Sequence, residues 1–172
     1  MKMHIAPCLV AVVSLAVSAC SADDKGMDVQ LKLTDEASAA DVGLPMYPGA
    51  KPYKDPGESR SGANLGLSTG SFGLKVAAAE LESSDRPDKV AAFYKKALAR
   101  YGEVLECTDA ASKTSSAESE DRLTCDPHEP GDHEVVYKVG VKDHQRIVAI
   151  KSHGNGSRFA LVHVDVRGET KR

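Results

Sequence analysis

The chain has 172 residues, of which 41% are hydrophobic and 27% charged, and its formal net charge is −3 at pH 7. This length suits a single domain preceded by a leader. The sequence has no tryptophan and no run of basic residues. Because nucleic-acid binding needs a basic face, nucleic acid is excluded as an expected partner.

The first 19 residues predict a secretory signal peptide. Lys2 supplies a positive charge, and an apolar run extends from Ile5 to Val17. This run is shorter than the roughly 20 apolar residues that a membrane-spanning helix needs. Its length and flanks are those of a signal peptide, and it ends in Val17-Ser18-Ala19-Cys20.

These last four residues resemble the lipobox of bacterial lipoproteins, with Cys20 at the cleavage position. The resemblance implies that the peptide is cut before Cys20, that its sulfur carries a diacylglyceryl group, and that fatty acid such as palmitate often acylates the new amino group. Stable anchoring takes at least two lipid signals, and a diacylglyceryl group supplies two acyl chains. The expected partner of Cys20 is therefore a lipid membrane. An ordinary signal peptide with a free cysteine nearby is the alternative.

The residue after Cys20 is Ser21 rather than an aspartate. An aspartate at this position resembles an inner-membrane retention signal of Gram-negative lipoproteins. The expected location is therefore the cell envelope, and in a Gram-negative cell the outer membrane, facing the periplasm.

Residues 20–43 are predicted to form an acidic, flexible tether. Residues 20–45 carry six acidic residues against two lysines, whereas residues 46–172 are balanced in charge. Small and polar residues dominate the segment, so we expect at most a transient helix near residues 34–40.

A single domain is predicted over residues 44–167, followed by a tail at residues 168–172. Its first segment is Pro45-Met46-Tyr47-Pro48-Gly49-Ala50, in which two prolines exclude a helix and the glycine permits a turn. Together with a later strand and a helix containing Phe93-Tyr94, this segment resembles the opening of a set of small bacterial envelope proteins. The resemblance implies no activity, and we expect Tyr47 to pack at the edge of the sheet.

Two strands and one helix are predicted next. A short strand is expected at residues 64–68 and a longer one at 72–81, where residues 72, 74, 76 and 78 share one face. Asp85 is the predicted N-cap of the helix, Pro87 falls in its first turn, and Gly102 ends it. Apolar residues at helical spacing predict one stripe that packs on the sheet: Val90, Phe93, Tyr94, Ala97, Leu98 and Tyr101.

Cys107 and Cys125 are expected to form a disulfide. Cys8 leaves with the signal peptide and Cys20 takes the lipid, so this pair remains in an oxidising compartment. A mobile polar loop is predicted at residues 109–121, between strands at 103–108 and 122–125. A redox dithiol is the alternative reading, although the pair lacks Cys-x-x-Cys spacing.

The C-terminal part predicts three strands, at residues 134–142, 145–152 and 158–167. Their turns are expected at Asp143-His144 and at Gly154-Asn155-Gly156. Alternation along the strands assigns one face to the core under the helix: Tyr137, Val139, Val141, Val148, Ile150, Phe159 and Leu161.

The second face of these strands is also apolar, with lysines 138, 142 and 151 at its rim. Either residues 44–68 cover this face, or a partner protein or an apolar ligand does. Its members are Gly140, Ile147, Ala149, Ala160, Val162 and Val164, of which Ile147, Ala149, Val162 and Val164 are the candidate interaction residues.

No catalytic, cofactor or metal site is predicted. Among the serines none lies in a Gly-x-Ser-x-Gly elbow, and the chain has no phosphate-loop or dinucleotide fingerprint. His128 and His133 lie near three acids, but their spacing matches no metal signature, so a solvated loop is expected. His163 is expected at the edge of the core face, and Arg146 is expected to face Asp165.

The sequence thus predicts an α+β domain, with an antiparallel sheet of about five to seven strands and one main helix packed on one face. The expected function is that of a non-enzymatic, membrane-anchored envelope lipoprotein that binds another envelope protein or component. One alternative is a carrier with a closed apolar cavity between helix and sheet. Another is a hydrolase with a pocket histidine, His128 or His163, beside a serine or paired acids.

Overall fold

A computed structural model describes residues 30–34, 37–69, 71–108, 121–126 and 133–168 of the chain. The predicted signal peptide, Cys20 and half of the predicted tether lie outside the described residues. So do His128, residues 109–120 of the predicted loop and the chain after residue 168.

The described residues form one antiparallel sheet with a helix packed on one face. Across the sheet the strand order is β1-β3-β4-β8-β7-β6-β5, and the short β2 pairs with β4 beyond the end of β3. This α+β architecture, seven strands wide, confirms the predicted fold class. The strands are β1 Gln30–Thr34, β2 Lys51–Pro52, β3 Gly62–Ser68, β4 Phe72–Ser83, β5 Leu105–Cys107, β6 Val135–Val141, β7 His144–His153 and β8 Gly156–Gly168. The helices are α1 Ala39–Val42 and α2 Pro87–Leu98, which continues into a 3-10 turn, Ala99–Tyr101.

Helix α2 packs the predicted apolar stripe on the sheet as far as Leu98, whereas Tyr101 lies in the 3-10 turn and is 40% exposed. Aromatic rings fill the space between the two layers: Tyr94 lies 5.5 Å from Phe159 and 5.1 Å from Phe93, measured between ring centroids. Val90, Tyr94 and Leu98 are completely buried in this core. Gly102 follows the 3-10 turn with a φ of 141° and a ψ of −163°, a conformation that favours glycine. It is not the left-handed helical conformation of the predicted C′ residue.

The predicted N-cap of α2 is wrong by one residue. Arg86 occupies the N-cap and makes no side-chain capping bond, and Pro87 is the first helical residue. Asp85 is engaged elsewhere, because its carboxylate accepts hydrogen bonds from the Tyr47 hydroxyl and the Lys89 ammonium group. A tertiary contact thus replaces the local capping bond that the sequence favoured.

The domain begins before residue 44, so the predicted boundary and the predicted tether over residues 20–43 need correction. β1 pairs along its whole length with β3. Ser38 caps α1 in a capping box with Asp41, and Ala39 and Val42 are only 2% and 0% exposed. The segment is polar on average, so its composition did not indicate that Ala39 and Val42 are buried.

The three C-terminal strands form the predicted meander, with one turn shifted. Val141 pairs with His144, so the β6–β7 turn is Lys142-Asp143 rather than Asp143-His144. The predicted core face is buried as far as Val139, whereas Val141 is 44% exposed near the end of the sheet. Residues 122–125 are not a strand, because a disulfide rather than strand pairing holds them to β5.

Candidate functional site

The sheet face opposite α2, here called the outer face, is apolar across its central strands. Cross-strand pairing aligns its side chains in rows; Leu65 pairs with Val76, which pairs with Val164. Because side chains alternate along a strand, the paired positions define one continuous surface. The outer face consists of Leu65, Leu67, Leu74, Val76, Ala78, Ile147, Ala149, Ala160, Val162, Val164 and Val166.

Every side chain of the outer face is partly exposed, whereas at the centre of the sheet its neighbours on the α2 side are buried. Along β4, Ala77 and Ala79 are 0% and 1% exposed, and Ala78 between them is half-buried. The four candidate interaction residues, Ile147, Ala149, Val162 and Val164, lie on the outer face. The centre of the sheet therefore has one buried face, under α2, and one apolar face that solvent reaches.

Sequence reasoning missed the half of the outer face that β3 and β4 supply. The local signal was present, since Leu65, Leu67, Leu74 and Val76 alternate with other residues along their strands. The alternation could not indicate that β4 lies beside β8, and this pairing is what places Leu74 and Val76 on the same face as Val162.

Residues 44–68 leave the centre of the outer face open, contrary to the first of the two alternatives, and only Tyr53 and Asp55 lie against one end of it, beside Arg158. Leu44 and Tyr47 pack into the core on the α2 side, where the Tyr47 ring meets Phe93 with centroids 5.1 Å apart. Residues 62–68 are a strand of the sheet itself. The segment contains enough apolar residues to join the core and the sheet, so little of it is left to lie across the other face.

One end of the outer face is closed by a charged cluster around Arg158. Its guanidinium donates two hydrogen bonds to the carboxylate of Asp55, at 2.7 and 2.8 Å, and its Nε donates to Glu80 at 2.9 Å. The Tyr53 ring lies against it, 4.0 Å from centroid to guanidinium carbon. The Arg158 hydrogen bond holds the pKa of Asp55 below its ordinary value.

The opposite corner of the outer face is covered by the segment of residues 121–126. A disulfide joins Cys107 of β5 to Cys125, with their Cα atoms 5.5 Å apart, which confirms the predicted pair. The Lys138 side chain is buried beneath this segment, where its ammonium group contacts Thr124 O and Asp126 Oδ2 at 3.1 Å each. Both the disulfide and the lysine therefore fix residues 121–126 over β5 and β6.

A polar cluster lies on the α2 side of the sheet, beyond the end of the core. Arg146 pairs across the strands with His163 rather than with Asp165, so that predicted pair is wrong. Its Nε donates to Val42 O at 3.0 Å and its guanidinium stacks on Tyr101. Burial, and then the Arg146 charge, lower the pKa of His163, which favours the neutral imidazole.

In the same cluster His144 Nδ1 contacts Asp165 Oδ1, at 2.9 Å. Arg167 also pairs with Asp165 and lowers the pKa of its carboxyl group. The His144–Asp165 contact joins the ends of β7 and β8, and the Arg146 bond to Val42 O joins α1 to β7. Among the described residues, no group of three His, Cys, Asp or Glu side chains converges in a way that could hold a metal ion.

A polar depression of about 290 Å³ lies at the start of α2. Acidic, basic and neutral side chains line it together, so it has no single charge that would select a ligand. Its lining residues are Arg86, Pro87, Asp88, Glu134, Ser152, Gly154, Asn155 and Gly156.

Within the described parts of the chain, neither helix has the length and apolar character needed to cross a lipid bilayer. A scan against protein-family models, a search of curated proteins and a search of solved structures each found no match to this chain.

Proposed function

We propose that the protein is a membrane-anchored lipoprotein of the cell envelope that acts as a non-enzymatic binding module. The observation that carries the proposal is the bonded pair Cys107–Cys125. Disulfides persist in oxidising compartments such as the periplasm and are rare in the cytosol. A disulfide in the domain agrees with an exported chain, and export is what the segment ending at Cys20 predicts.

The anchor is assigned to Cys20, in the sequence Val17-Ser18-Ala19-Cys20. The first described strand begins at Gln30, ten residues beyond Cys20. Ten residues of extended chain reach at most about 35 Å. The domain would therefore lie close to the membrane that holds the acyl chains. With Ser21 after the cysteine, the preferred location in a Gram-negative cell is the outer membrane.

The binding role is assigned to the outer face of the sheet. Monomeric soluble proteins seldom leave contiguous apolar patches of more than a few hundred Å² open to solvent, and larger ones mark interaction sites. A carrier of small apolar ligands is less well supported, because Tyr47, Phe93, Tyr94 and Phe159 fill the space between α2 and the sheet. Nothing in the polar cluster around His163 favours a hydrolase.

The anchor is tested by feeding cells a labelled fatty acid and isolating the full chain and two variants. Label should enter the unchanged protein and the Cys8→Ser control, and should be lost from Cys20→Ser. The Cys20→Ser chain should also keep its leader and migrate at a higher mass. Label that persists in Cys20→Ser, or that is absent from all three chains, would overturn the lipoprotein assignment.

A further inference from the structure

We propose that one end of the sheet, here called the Gln30 end, contacts the surface of the membrane that holds the Cys20 anchor, so that the strands point away from the bilayer. The Gln30 end is formed by the start of β1, the turn between β3 and β4, the β6–β7 turn and the last residue of β8. The inference rests on the lipoprotein anchor proposed above and adds the orientation of the domain. Three features favour a lipid surface: the point at which the chain enters the sheet, the exposed apolar side chains and the lysines.

The chain that links the anchor to the domain enters the sheet at the Gln30 end. Gln30 lies in the same cross-strand row as Arg167, near the end of β8. β8 extends from there to Gly156 at the opposite end, about 36 Å away at about 3.3 Å per residue. The ten residues beyond Cys20 reach at most about 35 Å. The opposite end could therefore meet the membrane only with this chain drawn fully along the sheet, whereas the Gln30 end meets it with chain to spare.

Exposed apolar side chains lie at the turns of the Gln30 end. Phe72, the first residue of β4, is 40% exposed, and Val141, just before the β6–β7 turn, is 44% exposed. Peripheral proteins insert such side chains, together with basic ones, at the boundary between lipid headgroups and acyl chains. β4 and β6 are three strands apart, which is roughly 14 Å. Two separate points of the Gln30 end can thus contact one membrane surface.

Two lysines at the Gln30 end are available to lipid phosphates. Lys75 and Lys142 are exposed, and neither forms a salt bridge with another described residue. At the opposite end, by contrast, Asp55 binds the guanidinium group of Arg158. Basic side chains near a membrane surface are attracted to its anionic lipids. The exposed Asp143 offsets part of this attraction, so the lysines act together with the apolar side chains.

The anchor makes a weak contact sufficient. Because Cys20 holds the domain beside the bilayer, the Gln30 end meets lipid at a high effective concentration, an advantage that a separate protein partner lacks. The predicted tether is acidic and adds no attraction of its own, so the contact depends on the Gln30 end. In this orientation the outer face stands upright from the bilayer and stays accessible to a partner.

The test is photo-crosslinking of the acylated full chain in vesicles of phosphatidylethanolamine and phosphatidylglycerol with labelled acyl chains. Benzoylphenylalanine replaces Phe72 at the Gln30 end, the exposed Asn155 at the opposite end, or Val162 on the outer face. We expect position 72 to give at least tenfold more lipid adduct than position 155 or position 162. Equal adducts from positions 72 and 155, no adduct from position 72, or a larger adduct from either control position would overturn the inference.

A second arm removes one apolar contact. Lipid adduct is measured from benzoylphenylalanine at position 141 in chains that also carry Phe72→Asp or the matched control Met46→Asp. Met46 is 45% exposed, close to the value for Phe72, but lies in the segment between α1 and β2. Phe72→Asp should lower the adduct at least threefold, and Met46→Asp should leave it unchanged. An unchanged adduct in a folded Phe72→Asp chain would contradict the contact; if circular dichroism reports that this variant unfolds, the comparison of positions 72, 155 and 162 decides.

The inference and the lipoprotein assignment fail in different ways. A chain that takes up no labelled fatty acid at Cys20 is not a lipoprotein, and the orientation falls with the anchor. An acylated chain with no excess of lipid adduct at position 72 keeps the lipoprotein assignment and loses only the orientation. Crosslinking at position 72 is also carried out in intact envelopes, where a protein adduct in place of lipid would make the Gln30 end a protein-binding surface and would overturn the inference.

Discussion

The hydroxyl group of Tyr47 donates a hydrogen bond to the carboxylate of Asp85, with 2.8 Å between the two oxygens. Tyr47 belongs to the segment that enters the domain, and Asp85 lies just before α2. The bond therefore joins two elements 38 residues apart in the chain. The Tyr47 ring is buried against Phe93 and Phe159, so the segment is held by both its ring and its hydroxyl.

Removing the Tyr47 hydroxyl should lower the free energy of unfolding, whereas removing the Tyr94 hydroxyl should not. Tyr47→Phe loses a partly buried hydrogen bond, which on average contributes about 1 kcal/mol to the free energy of unfolding. The hydroxyl of Tyr94 is buried without a hydrogen-bond partner among the described residues. Tyr94→Phe should therefore be neutral or stabilising by up to about 1 kcal/mol. Urea unfolding of both variants measures the difference, and equal losses would contradict the assignment.

The stretches that were predicted correctly are those whose signal is local. Helix α2 follows from the spacing of Val90, Tyr94 and Leu98, and the β7–β8 hairpin follows from Gly154-Asn155. The two faces of the C-terminal strands follow from alternation alone, which is why Ile147 and Val162 could be placed together before the pairing was known.

What could not be predicted depends on partners distant in the chain. From the sequence, Arg158 is expected to be a surface residue of a strand. Its partner Asp55 lies 103 positions away in the chain, and only the fold brings the two together. Ala39 and Val42 are two small apolar residues in an acidic segment, and only their contact with β4 and β8 makes them core. The extent of the outer face likewise depends on β4 lying next to β8, a pairing that no local pattern specifies.

The disulfide should contribute substantially to stability. It closes a loop between cysteines 18 residues apart, and a loop of this length stabilises by about 3 kcal/mol in the chain-entropy account. The double variant Cys107→Ala, Cys125→Ala should lose about that amount of unfolding free energy in urea. A reducing agent should lower the urea midpoint of the unchanged protein and leave the double variant unaffected. An unchanged midpoint in the double variant would refute the estimate.

The Arg158 cluster should matter more than an exposed ion pair. Arg158→Met keeps the apolar stem but leaves Asp55 and Glu80 without their shared donor, and should cost about 1–2 kcal/mol. Arg167→Met is the matched control, because that side chain is 76% exposed. Its removal should leave the melting temperature close to that of the unchanged protein. Similar melting temperatures for the two variants at neutral pH would count against a structural role for the cluster.

The Arg158 cluster also predicts an acid dependence with a definite sign. The pKa of Asp55 is lowered in the folded state, first of all by the hydrogen bond from Arg158. The stabilisation is therefore present above the unfolded pKa of about 3.9 and is lost as the pH falls through the lowered folded value. Melting temperatures measured across this acid range should fall less steeply for Arg158→Met than for the unchanged protein. Parallel curves would contradict the coupling.

Alkaline pH should unfold the protein through its buried phenols. Burial is the main cause that raises the pKa values of Tyr47, Tyr94 and Tyr137. A raised folded pKa means that the stabilisation is complete below the unfolded value of about 10 and is lost as the pH rises toward the folded values. Each phenol that ionises only after unfolding steepens the loss by up to about 1.4 kcal/mol per pH unit. Phenolate absorbance from these three residues should therefore rise together with the loss of far-ultraviolet circular dichroism, and the loss should be shallower in Tyr94→Phe. If all the phenols ionise near pH 10 while the circular dichroism stays native, these residues are not buried as described.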